Sequence, residues 1–430
     1  MKILWLSHLV PYPPKGGVLQ RSFNLIKEAA REHEITLLCF NQRAFLESTL
    51  PEVTDPLELA CSELLNYVQH IKVFEIPEDK LLGGKLWVVT KAILKGSSYN
   101  MEWLKSDPFR KELINKIKSD EFDVVHVDTI SLCAYFDVIH EAPLILNHHN
   151  FESKMLMERS RKEKNKLKRI FYAHEARRLL DSEKNYIRKV QLNITCSDDD
   201  ANDIRAEVGV DNVMTIPNGV DLSYFSTNRS VLPIANRIVL VGGLSWYPNR
   251  DAVEYFLQEV WPLLKERVPT AEVDIIGRSP TESMTKFAEQ EPRVHVQGFV
   301  DDVRPYLWRS EFYLCPIRIG GGTKLKILDA LASGCCIIAH PFACKGIEVR
   351  EGEHVLFAES GAEYVDKIEL LNSDPELRAR LRERGPKLIE SSYSYEGIGR
   401  TYSSAVTEAA TKAKNQGVKF DEFVVGKSSV

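Results

Sequence analysis

Short apolar runs alternate with amphipathic stretches along nearly all of this 430-residue chain, and that alternation predicts parallel strands joined by crossover helices. In the first half the runs fall at residues 2–7, 34–40, 70–75, 124–127, 144–147 and 192–196. In the second half they fall at 237–241, 272–276, 294–297, 312–316 and 336–339. Two doubly wound α/β sheets are expected. Turn residues cluster at Ile216-Pro217-Asn218-Gly219-Val220-Asp221, and the pattern restarts after Thr227-Asn228-Arg229-Ser230. The chain should therefore divide there. The predicted parts are a domain at 1–215, a hinge at 216–232, a second domain at 233–395, and a helix and tail at 396–430. Open sheets of this kind bind ligands beyond the carboxyl ends of their strands, which says where chemistry belongs.

One such strand end is rich in chemistry. The run ending at Cys315 leads into Gly320, Gly321 and Gly322, then Thr323, Lys324 and Lys326, and an amphipathic helix opens at Lys326-Ile327-Leu328-Asp329. Glycines let the backbone approach a ligand closely, and a helix start offers unpaired N–H groups and the positive end of its dipole. Two ammonium groups at the same place favour an anion further. A plain strand-to-helix turn would also contain glycine. Asp329 narrows the reading, because an acid just behind a basic loop can accept hydrogen bonds from ribose hydroxyls, so a nucleoside diphosphate fits better than a bare phosphate.

The first half carries its own glycine turn. Gly16 and Gly17 follow the first strand and precede a helix expected at 19–31, where they would clamp the same diphosphate or shape an acceptor pocket. His148 and His149 lie just past a buried strand, and a neutral imidazole there can hydrogen-bond a hydroxyl-rich ligand or the reacting centre. One of the two could equally be packed. No further Cys or His lies at ligand spacing, so no metal site is read.

A net charge of −5 and a pI near 6.2 argue against bulk nucleic-acid binding. Eight cysteines occur without C-x-x-C spacing and read as buried thiols of a reducing compartment. The N-terminus reads as a strand rather than a leader, and no run reaches the ~18 apolar residues of a membrane span. A cytoplasmic protein is expected. Its charge is uneven, since residues 154–189 hold thirteen Lys and Arg against five Asp and Glu. That tract is either a solvated helical excursion or a contact with anionic lipid at the inner face of a membrane. A basic helix with a tryptophan at 85–95 is a second candidate for such a contact, although its apolar face could be core.

Taken together, these residues resemble family 4 glycosyltransferases, the large retaining GT-B group, in the subgroup with a glycine-rich loop. The likeness rests on Gly16-Gly17, on Phe122-Asp123-Val124-Val125-His126, on His149-Asn150-Phe151-Glu152-Ser153 and on Pro217-Asn218-Gly219-Val220-Asp221. It continues through Trp246-Tyr247-Pro248-Asn249, Ile275-Ile276-Gly277-Arg278, the run from Gly298 to Tyr306 and the glycine-lysine loop. The resemblance implies an α/β GT-B fold with two facing Rossmann-like domains, an interdomain cleft and a C-terminal helix. It also implies transfer of a sugar from a nucleotide-sugar donor to a saccharide or lipid-linked glycan, with retention and without a metal or other cofactor. By position, Gly298, Phe299 and Val300 would border the base and Asp329 the ribose, while Gly321, Gly322, Thr323, Lys324 and Lys326 would surround the sugar diphosphate and His149 would lie near the sugar. Two features depart from the family. Its frequent pair of glutamates reads Gly321 and Asp329 here, and its Arg and Lys after the first strand of the second domain are missing. Lys324 or Lys326, with Arg278 or Arg250, would take over that charge, and Asn249 is a further candidate contact to the nucleotide. The competing readings are a non-catalytic binder of sugar nucleotides or glycans, supported only by the missing glutamate, and a nucleotide-sugar epimerase, for which the loop lacks an acid.

Overall fold

A computed structural model describes residues 1–77, 84–140, 142–228, 230–320 and 322–415. The chain forms two compact units, the first comprising Met1–Pro217 with the chain from Ile398 onward, the second Asn218–Gly397. Each unit is built on one sheet.

The first sheet contains β1 (Lys2–Ser7), β2 (Glu34–Asn41), β3 (His70–Glu75), β4 (Val124–Val127), β5 (Leu144–His148), β6 (Leu192–Thr195) and β7 (Val213–Thr215), in the order β3-β2-β1-β4-β5-β6-β7. The second contains β8 (Ile234–Val241), β9 (Glu272–Ile276), β10 (Val294–Gly298), β11 (Ser310–Cys315), β12 (Cys336–Ala339) and β13 (Leu356–Phe357), in the order β10-β9-β8-β11-β12-β13. All the paired strands run parallel. In both sheets the order reverses beside the first strand, between β1 and β4 and between β8 and β11. Neighbouring crossovers leave to opposite faces at such a point, so a crevice opens beyond the strand ends.

Strand burial follows the two-residue period of a pleated sheet covered on both sides. In the second unit Ile238, Leu240, Phe312, Leu314 and Ile338 enter one buried cluster, while Val239, Tyr313, Cys315, Ile337 and Ala339 enter another. In the first unit Leu4, Leu6, Phe40, Val125 and Leu146 share a core with Phe109, Tyr135 and Phe136, and Phe40 stacks on Phe109 at 4.6 Å. All eight cysteines are free, and seven are buried.

The apolar runs mark the strands to within one to three residues. β7 and β13 have no counterpart in that reading, because three- and two-residue strands at sheet edges contain too little apolar sequence to register as runs. The first helix spans Gly17–Ala29, two residues ahead of its expected place. Gly17 is thus its first residue and Gly16, at φ 96°, its N-cap. The last described helix, Tyr395–Asn415, enters the first unit from Ile398. There the Tyr402 hydroxyl meets His126 Nδ1 at 2.8 Å, and the Lys414 ammonium lies 2.5 Å from Asp123.

Candidate functional site

Both topological switch points carry concentrated polar chemistry, and each is described within its own unit. In the second unit the glycines sit where strands end. A Cβ on Gly277, which follows β9, would lie 1.9 Å from the Gly242 carbonyl oxygen. A Cβ on Gly242, which follows β8, would lie 2.2 Å from the Lys326 ammonium and 2.8 Å from the Asn249 side chain. Only hydrogen fits there, so the bare backbone leaves room for the lysine beside the end of β8.

Lys326 stands in the first turn of the helix Leu325–Ala332. Its ammonium donates to Asn249 Oδ1 at 2.5 Å, and Asn249 Nδ2 donates to the Gly243 carbonyl at 2.8 Å. The Lys324 ammonium closes the loop on itself through the carbonyls of Gly320 at 3.3 Å and Gly322 at 2.7 Å. Burial depresses both amines, Lys324 to about 8, with the neighbouring lysine contributing at Lys324. Each amine is therefore a partly dehydrated cation, a state that an incoming anion would relieve. Thr323 Oγ1, buried beside them, has no hydrogen-bond partner among the described residues.

The other residues predicted for the nucleotide fall in this unit as well. Gly298 ends β10, and the exposed Phe299 lies under the Arg278 guanidinium, 4.3 Å from its ring centroid. Val300 packs against the buried cluster of this end. Arg250 faces Tyr247 at 5.8 Å. Asp329 stands one turn beyond Lys324 on the helix, close enough to act electrostatically on Lys326 and the buried Tyr313. Gly321 lies outside the described residues.

In the first unit the switch point is built from side chains. Asp128, fully buried just past β4, accepts from Ser22 Oγ at 2.5 Å and from Asn147 Nδ2 at 2.7 Å. Asn147 in turn accepts from the buried Arg21 at 3.0 Å, and Arg21 also donates to the Pro217 carbonyl at 3.1 Å. His149 Nε2 lies 3.2 Å from Asp128 Oδ1 but outside hydrogen-bond alignment, and His126 Nε2 lies 3.8 Å away. His8, just past β1, completes the group, its ring 5.9 Å from that of His149. One ligand atom from each of His8, Asp128 and His149 falls within 4.8 Å of the others.

Burial alone would raise Asp128, but His149 and His126 close beside it hold it well below the usual carboxylate range. Burial, with His149 nearby, takes His8 down to about 4. The cluster thus pairs an ionised carboxylate with a neutral His8, a combination suited to orienting hydroxyl groups.

The adjacent histidines separate. His148 ends β5 with its Nε2 3.1 Å from Asn193 Oδ1, and burial lowers it to about 4, so it is a packed residue. His149, one residue further, belongs to the cluster. Gly16 and Gly17 head the helix that carries Arg21 and Ser22, and no side chain caps that helix. The sequence reading missed His8, Asp128, Arg21 and Asn147. A usable signal was present, because His8 and Asp128 both lie immediately beyond a strand on either side of the order reversal.

Comparison with known proteins then fixes the family. The family model Glycosyltransferase Family 4 matches residues 15–224, and the model Glycosyl transferases group 1 matches residues 235–374. The chain belongs to the family 4 glycosyltransferases. Solved structures agree on the fold. Anabaena HepE in complex with UDP is 15% identical, with a TM-score of 0.63, covering 95% of this chain and 100% of its own. Sucrose-phosphate synthase from Thermosynechococcus elongatus is 13% identical at a TM-score of 0.68, covering 96% and 100%. TarM is 13% identical at 0.66, covering 94% and 98%. This chain shares the GT-B fold with these structures. No curated protein matches the sequence.

Proposed function

We propose that this glycosyltransferase moves a sugar from a nucleoside-diphosphate donor to a saccharide or lipid-linked glycan, with retention of anomeric configuration and without a metal. The observation that carries the donor half is the pair of half-buried cations at the glycine-lined end of β8 and β11, with the Thr323 hydroxyl, partnerless among the described residues, preceding them in the same loop. Cations and N–H groups already in place can take up the charge of a departing diphosphate. Lys324 and Lys326 would do so, Asp329 would hold the ribose, and Gly298, Phe299 and Val300 would border the base, with Arg278, Arg250 and Asn249 around the phosphates. His149, oriented by Asp128, would meet the sugar. The solved complexes of HepE with UDP and with UDP-glucose, and of S. aureus TarM with UDP and α-GlcNAc-glycerol, support UDP-sugars as the first donors to test. With a lipid-linked acceptor the enzyme would work against the inner face of a membrane.

The test is release of the free nucleotide from a panel of sugar nucleotides, with and without a glycan-containing extract, followed by the anomeric coupling in the product. Acceptor-dependent release and a retained anomer are expected. Binding without turnover for every donor and acceptor would leave a sugar-nucleotide binder instead.

A further inference from the structure

We propose that one outward face of the first unit docks on an anionic lipid bilayer. It is formed by the helix Gly84–Lys95 and by the tip of a helical hairpin, Glu152–Lys162 and Lys166–Ile187. The first helix buries Val88 and Ala92 but turns Leu86, Trp87, Ile93 and Leu94 outward. Leu86 and Ile93, like Trp87 and Leu94, are seven residues apart, so the four form a stripe along one side. Every residue from 164 to 170 at the hairpin tip is exposed, Leu167 and Ile170 among them. The six apolar side chains are between 51% and 79% exposed, which is unusual for so large a group on a water-facing surface.

Charge decides what covers them. Arg161, Lys162, Lys164, Lys166, Lys168 and Arg169 surround Leu167 and Ile170 in sequence, and none has an ion-pair partner among the described residues. Away from the tip Lys154 pairs with Asp203 and Lys184 with Glu207. The two helices are one structural piece, because Arg178 donates to the carbonyls of Ala92 at 3.1 Å and Ile93 at 3.4 Å. At 1.5 Å per residue Arg178 is only about 12 Å along its helix from Ile170. Large apolar side chains and a tryptophan next to a hairpin tip rich in unpaired cations match the boundary between headgroups and acyl chains, where the stems bury and the charges meet lipid phosphates. No described helix is long and apolar enough to cross a membrane, so this face would lie on the surface.

As a partner the bilayer rests on the lipid-linked branch of the proposed function, so its test is kept apart from catalysis. The full chain is sedimented with vesicles of phosphatidylcholine alone and with added phosphatidylglycerol, at low and high salt. Recovery with the anionic vesicles is expected, fading steeply with salt. Reversing Lys164, Lys166, Lys168 and Arg169 to Glu should weaken binding by more than about fivefold per cation. Leu167→Ser with Ile170→Ser, and separately Trp87→Ser with Leu94→Ser, should weaken it at both salt concentrations. Equal recovery in the supernatant for both lipids, or binding indifferent to all of these variants, overturns the proposal. Gel filtration in which the wild type is dimeric and the apolar variants monomeric also overturns it, in favour of a second copy on this face. Every variant is also assayed on a water-soluble acceptor. Loss of vesicle binding with transfer intact confirms a docking face, whereas transfer absent from the wild type with every donor and with both water-soluble and lipid-linked acceptors defeats the functional reading and leaves the vesicle result standing.

Discussion

The two switch points share one topology and use opposite materials. Beyond β8 and β11 the site is backbone and cation, with glycines at Gly242 and Gly277 where no Cβ fits and two lysines held against carbonyls and Asn249. Beyond β1 and β4 it is side chain and carboxylate, with Asp128 fixed by Ser22 and Asn147 and flanked by His8, His126 and His149. A diphosphate presents many equivalent oxygens, so bare N–H groups and ammonium charges recognise it well. Hydroxyls of a sugar need individual donors and acceptors at fixed angles, of the kind a braced carboxylate and imidazole nitrogens offer. The two ends thus differ in what the same fold places beyond its strands.

The largest break in that comparison should come from the cations. Lys326→Ala removes a charge next to the expected leaving group, and turnover at saturating donor should fall about a hundredfold, on the order of 3 kcal/mol. Gly242→Ala should act through the same amine, because its new Cβ would stand 2.2 Å from the ammonium and force it away. If turnover of both variants stays near wild type, the amine is not at the reacting end. Lys324→Ala is expected to cost a similar factor and also to loosen the loop whose carbonyls it holds.

A smaller effect should separate the neighbouring histidines. His149→Gln is expected to lower turnover about tenfold with the melting temperature unchanged, as for loss of one positioned hydrogen-bonding group. His148→Ala should do the reverse, costing about 1–3 kcal/mol of stability by stranding Asn193 while each folded molecule keeps its turnover. Equal kinetic losses in the two would mean that packing and chemistry are not divided as the geometry indicates. Asp128→Asn belongs with His149, since one amide oxygen cannot replace both carboxylate oxygens toward Ser22, Asn147 and His149.

Titration adds a third comparison. Lys324 is lowered to about 8, chiefly by burial. The protonated amine is the form that attracts a diphosphate, so affinity for a nucleoside diphosphate should be highest below that pH. As pH rises past about 8 the amine of the free protein loses its proton, and affinity should weaken by up to tenfold per pH unit. Bound anion raises the amine's pKa, so the decline ends where the complex itself begins to titrate. Calorimetry on both sides of that pH, repeated with Lys324→Met, checks it. A flat wild-type profile would place the amine away from the phosphates.

How much of this was legible in sequence differs between the two ends. The second unit's loop is contiguous, so Gly322, Thr323, Lys324, Lys326 and Asp329 could be read together as an anion site. The first unit's cluster draws His8, Arg21, Asp128, Asn147 and His149 from four separate segments. Only the strand order brings those segments together, and strand order cannot be read from apolar periodicity. The strands themselves were visible because both faces of each sheet are covered, which makes the runs nearly continuous. β7 and β13 were invisible for want of length. The same periodicity could not tell which face of residues 85–95 is core, since Val88 and Ala92 look no different in sequence from the exposed Leu86 and Leu94.

An effect no larger than that of His149 belongs to Asp329, on binding alone, and it sharpens what the glycine-lysine end recognises. A ribose contact exists before and during the reaction, so its loss should weaken the bound nucleotide without a separate loss in the chemical step. Asp329→Ala should therefore raise the dissociation constant of the nucleoside diphosphate about tenfold, the worth of a charge-assisted hydrogen bond. Because Asp329 also acts electrostatically on Lys326, inorganic pyrophosphate serves as the control ligand. A tenfold loss for the nucleoside diphosphate with pyrophosphate unchanged assigns the residue to the ribose. Equal losses for both would make Asp329 a support for the lysine rather than a reader of the sugar, and no loss for either would remove it from the site.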